Sequence, residues 1–156
     1  MAFKKIFLKY VLLGFLIFLA ILAIIVFVLS GRVTNESETV KINFHNQIIN
    51  AEIARSPYKI YNGLSNRQSL CLDCGLLFIF SDLDQRTFVM RDMLFPLDII
   101  FIAKGQVLKI YENLAPEGAN PQNLYNSEFP ADQVLEINAG QAKIWGIKVG
   151  DELIID

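Results

Sequence analysis

The apolar positions of this chain follow two different patterns. From Tyr10 to Leu29 they are continuous, YVLLGFLIFLAILAIIVFVL, twenty residues without a charge. At about 1.5 Å of rise per residue, such a run extends roughly 30 Å, the thickness of a bilayer's hydrocarbon core. A helix satisfies its own backbone there, and the run lacks the polar stripe of a core helix. It predicts a single transmembrane helix. Beyond it the period changes to two. Val40–Phe44 alternates apolar and polar, His45-Asn46 reads as a turn, and Gln47–Ala54 resumes the alternation. Further strands are predicted at Gly75–Phe80, Arg86–Met90, Leu97–Ala103, Val107–Tyr111, Gln133–Ile137 and Glu152–Ile155.

Helical signals are few. Ser56-Pro57 reads as an N-cap followed by proline in the first turn, opening a helix from Pro57 to about Arg67 that Gly63 weakens. A second, short helical stretch is predicted over Gln141–Trp145. Ser81–Gln85 reads as a polar turn. Ala115–Asp132, with Pro116, Pro121 and Pro130, shows neither period and is expected to form a long surface loop. The predicted fold is mainly β, a β-rich α+β domain built as a compact barrel or rolled sheet with one or two short helices.

Charge then orients the chain. Lys4, Lys5 and Lys9 precede the apolar run, and Arg32, Glu36 and Glu38 follow it. Basic flanks stay in the cytoplasm. The expected order is a basic cytoplasmic segment 1–9, a membrane helix or signal anchor 10–29, a polar linker 30–39 and an extracytoplasmic domain 40–156 on a single-pass plasma-membrane protein. Cleavage after Ser30 is the competing reading, though the run exceeds a usual signal core. No cysteine follows the run closely enough to carry a lipid anchor. All 16 acidic residues but only 11 of the 14 basic ones lie beyond residue 31, leaving that part at −5. It has no basic stripe, which argues against nucleic acid as a partner. The expected partners are the bilayer, through 10–29, and a small polar ligand or a protein.

Two clusters could carry chemistry. Cys71 and Cys74 form a C-x-x-C outside the cytoplasm. Such a pair suits a structural disulfide or thiol pair, a thiol–disulfide oxidoreductase or part of a metal site. No thioredoxin-like unit surrounds it, and a structural zinc needs four ligands where the chain offers two cysteines and His45. Arg91, Asp92 and Asp98 lie between two apolar runs in TFVMRDMLFPLDIIFIAKG. Charges there require partners or water. They suit an internal ion pair, a turn anchor or a polar binding pocket with the 115–132 loop as its rim; carboxylate catalysis lacks a second element. No cofactor motif is present.

Gly63-Leu64 with Arg67, Gly75-Leu76-Leu77-Phe78, Phe80, Phe88, Met90 and Pro96-Leu97-Asp98-Ile99-Ile100-Phe101-Ile102 occur in order. Val134-Leu135-Glu136, Ala139-Gly140, Gly146-Ile147 and Gly150-Asp151 follow them. This ordered set resembles the DUF192 family over roughly Gln47–Ile155. The resemblance implies a small, mainly β domain, often exported behind a signal or anchor, and supplies no reaction or cofactor. Arg67 joins Arg91, Asp92 and Asp98 as a candidate binding residue. The chain departs from the family at Met90-Arg91-Asp92-Met93, where Met-x-Asn-Thr is usual, and the cysteines fall in a variable segment.

Overall fold

The computed structural model describes residues 14–26, 38–44 and 47–155. Residues 14–26 form a helix, α1, exposed along its length. Among the described residues no helix is long and apolar enough to cross a membrane. The segment 1–9, both ends of the run 10–29, most of the linker and His45-Asn46 lie outside the described residues.

The second unit is mainly β. Its elements run β1 (Thr39–Phe44), β2 (Gln47–Ala54), α2 (Pro57–Asn62), β3 (Cys74–Asp84), β4 (Thr87–Phe88), β5 (Leu97–Ala103), β6 (Gln106–Leu114), β7 (Tyr125–Asn126), β8 (Ala131–Asn138), α3 (Gln141–Ile144) and β9 (Ile154–Ile155). Seven strands form one sheet in the order β6-β5-β8-β3-β2-β1-β9, and β4 pairs with β7 separately. Among the described strands only β2 and β3 pair in parallel, joined across α2.

The sheet curls into a half-barrel. On a flat sheet β6 and β1 would stand roughly 24 Å apart at ~4.8 Å per strand. Instead Val107 of β6 and Ile42 of β1 share one buried cluster with Phe44, Leu77, Leu135 and Ile137. That cluster marks the concave face. At one end the two edges meet: the Val107 amide donates to the Asp151 carbonyl at 2.9 Å, and the Leu153 amide to the Gly105 carbonyl at 2.7 Å. The convex face carries a second cluster, with Leu64, Leu76, Phe78, Met90, Ile99, Phe101 and Val134. Because both faces of β5 are covered, its first six residues are all buried, and it reads as an apolar run rather than an alternation.

Several predicted boundaries shift for local reasons. The helix predicted to Arg67 stops at Asn62, because Gly63 takes φ 50° and its amide closes on the Lys59 carbonyl. The turn predicted at Ser81–Gln85 is instead the continuation of β3 to Asp84, past an irregularity opposite β8. The strand predicted over Arg86–Met90 shrinks to Thr87–Phe88, since its partner β7 offers only two residues. That partner lies inside the predicted 115–132 loop, whose last residues also begin β8.

Candidate functional site

The convex face is where the chain builds a cleft. Ser56 caps α2 by accepting from the Lys59 amide at 3.3 Å, and the segment after the helix crosses the sheet to bury Leu64. The strand-to-turn segment 86–93 crosses beside it. The two are laced together. The Ser65 hydroxyl donates to the Arg91 carbonyl at 2.7 Å, the Asn66 amide to the Asp92 carbonyl at 2.8 Å, and Arg91 Nη2 to the Tyr61 carbonyl at 2.7 Å. The Arg91 guanidinium also lies 4.0 Å from the centre of the Tyr61 ring. A cleft of about 380 Å³ opens between these segments, lined by Leu64, Phe78, Phe80, Phe88 and Met93 among others. Phe88 stands edge-on to Phe78 at 4.8 Å and to Phe101 at 5.8 Å, so the apolar wall is anchored in the core.

Three charged side chains line this cleft: Arg86, Arg91 and Glu136. Arg86 donates to the Asp82 carboxylate at 2.8 Å and to the Ala131 carbonyl at 3.0 Å, with its guanidinium over Phe80. Glu136 sits in the middle of β8, paired with Leu76 and Ile99 on its two neighbours. It is 5% exposed, and its Oε2 has no hydrogen-bond partner among the described residues. Burial pushes its carboxyl from the ordinary 4.5 up to about 8, and the charge of Arg67 offsets that only in part. The acid is therefore mostly protonated at neutral pH. Arg67 is otherwise committed: its guanidinium forks onto Glu52 at 2.5 and 2.8 Å. Gly63 packs close to this acid: a Cβ there would stand 3.6 Å from Oε2, an ordinary contact, and 3.3 Å from Phe78 Cζ.

The residues singled out in the sequence divide among different places. Arg91 lines the cleft, and Arg67 acts behind it through Glu52 and Glu136. Asp92 forms the corner, at φ 52°, and its amide donates to the Gly118 carbonyl at 3.3 Å. Asp98 belongs to the opposite face of the sheet, paired with Ile137 rather than Glu136. It is fully buried and accepts from the amides of Asn113, Gly140 and Ala142 at 2.8, 2.9 and 3.0 Å. Its carboxylate is a backbone anchor that lines no part of the cleft. The 115–132 loop contributes the β7 partner for β4, and Glu117 organises it by accepting from Gln122 and Asn123.

Cys71 and Cys74 form a disulfide, Cα atoms 5.1 Å apart, at the surface where β3 begins. Asn138 Nδ2 donates to the Cys71 carbonyl at 2.9 Å and ties this corner to the end of β8. A strand start offers no helix dipole to favour a thiolate, and the neighbouring Asp73 carboxylate works against one.

Of the residues the sequence singles out as candidate site residues, Arg91 lines the cleft, and Glu136, which lines it too, is not among them. A signal was present: Val134-Leu135-Glu136-Ile137 puts one carboxylate inside an otherwise apolar strand.

The family model for DUF192, described as "Uncharacterized ACR", matches residues 38–155. No curated protein matches the chain. A solved structure from Sinorhizobium meliloti 1021, described as a "putative transcription regulator", is similar at a TM-score of 0.72 and 29% identity, covering 76% of this chain and 95% of its own. A protein of unknown function from Novosphingobium aromaticivorans DSM 12444 is similar at a TM-score of 0.68 and 31% identity, covering 76% of this chain and 84% of its own. With nearly the whole β domain matched, curled sheet and convex-face elements included, the chain belongs to the DUF192 family.

Proposed function

We propose that this DUF192 domain is a small-molecule binding module held outside the cytoplasmic membrane by its N-terminal apolar run, with the convex-face cleft as its binding site. The observation that carries the binding reading is Glu136: a buried carboxyl, its Oε2 without a partner among the described residues, in the lining of a cleft with Tyr61, Phe80 and Phe88. Leaving such an oxygen unpaired costs on the order of 1–3 kcal/mol, and a ligand donor or acceptor would recover it. The anchor reading rests on the twenty uncharged residues and the three lysines before them. The relative described as a transcription regulator does not extend to this chain, whose outer part carries −5 and no basic stripe.

Benzamide, a neutral planar probe, tests the site by saturation-transfer NMR on the full chain in detergent micelles. Signals that weaken in Val89→Trp and Glu136→Gln chains are expected. Undiminished signals in both would remove the cleft as the binding site. The anchor is tested by washing membranes with alkaline carbonate: the chain should stay in the pellet, and release into the supernatant would refute the anchor.

A further inference from the structure

Resting on the cleft as a binding site, its charge pattern names a ligand class. Of the three charged lining residues, Arg86 is matched by Asp82 at 2.8 Å. Glu136 is buried, and its carboxyl is held mostly neutral at pH 7. Among the described residues, Arg91 has no carboxylate within ion-pair distance. The cleft therefore presents one unmatched positive charge, on a guanidinium held in place by the Tyr61 ring and carbonyl. One of its N–H groups is used at Tyr61; a guanidinium has five donors in a planar fork that suits a carboxylate. A cationic ligand would meet Arg91 unshielded with no ionised acid opposite it. The rest of the lining mixes apolar side chains, Phe88 and Phe80 foremost, with the polar Asn62, Ser65, Gln85 and Thr87.

We propose that the cleft selects a small organic monoanion of the benzoate type, its carboxylate on Arg91 and its body along the lining beside Phe88. The charge acting on Glu136 is that of Arg67, with Glu52 behind it, while Arg86 and Arg91 share the cleft lining. Once Glu136 ionises, its own charge opposes the anion.

Benzoate, benzamide and benzylamine, titrated in parallel into the full chain in micelles, separate the possibilities. Benzoate should bind tightest and benzylamine weakest. Arg91→Gln should weaken benzoate at least about tenfold, the scale of a charge-assisted pair, and leave benzamide nearly unchanged. Arg91→Lys should restore part of the loss. Benzylamine binding as tightly as benzoate, or benzoate and benzamide falling together in Arg91→Gln, overturns the monoanion while leaving the cleft as a site. No binding of any of the three by the unaltered chain overturns both.

Discussion

Glu136→Gln is the most informative single change. In the folded chain the carboxyl keeps its proton to about 8, whereas an unfolded chain releases it near the ordinary 4.5. Between those values the folded state binds the extra proton, so stability falls as pH rises, by about 1.4 kcal/mol per pH unit. Below the ordinary value both states are protonated and the contribution is intact; above about 8 both are ionised and the loss is complete. At pH 7 the accumulated penalty is roughly 3 kcal/mol. Glutamine keeps the shape and removes the titration. Its amide N–H groups find no fixed partner beside Oε2, which takes back on the order of 1–3 kcal/mol. The variant should therefore equal or exceed the unaltered chain in stability at pH 8. Relative to it, the variant should lose roughly 1.4 kcal/mol for each pH unit toward 5. Urea unfolding of the full chain in micelles, followed by Trp145 fluorescence at several pH values, measures the gap. A gap constant from pH 5 to pH 8 would refute a buried, protonated Glu136.

Other changes test the frame around the cleft. Asp98→Ala removes the acceptor of three backbone amides and should destabilise by at least about 3 kcal/mol in the same unfolding measurement. Arg67→Ala should raise the Glu136 pKa further, because the Arg67 charge now lowers it, and the carboxyl carbon shift in an NMR pH titration reads this directly. The same change takes from half-buried Glu52 its fork to Arg67 and should cost on the order of 1–3 kcal/mol. Cys71→Ser with Cys74→Ser opens a three-residue separation only, so the loss should be modest, roughly 2 kcal/mol, with benzamide binding retained.

The sheet was more legible in the sequence than the site. Gln47–Ala54 and Leu97–Ala103 are bounded to the residue, because turn residues and prolines mark their ends in the sequence. Thr87–Phe88 was overestimated because strand length is set by the partner, and β7 is hidden in a segment too short for any period. Arg91, Asp92 and Asp98 stood out equally as charges among apolar neighbours. The pleat then sends Asp98 to one face while Ile99 joins Glu136 on the other, a division that depends on register rather than composition. Glu136 escaped because one acid in a strand carries no weight until both neighbouring strands are known to bury it.

The meeting of the two sheet edges has a consequence for the order of assembly. β9 pairs with β1, and the residues just before it bond to Gly105 and Val107. The segment that seams the curl is thus the last of the domain to be synthesised, and its partners lie at opposite edges of the sheet. Until it arrives, β1 and the start of β6 are open edges, ready to pair with other chains. Deleting residues 151–155 should therefore produce aggregation during folding before it produces any loss of an already folded cleft.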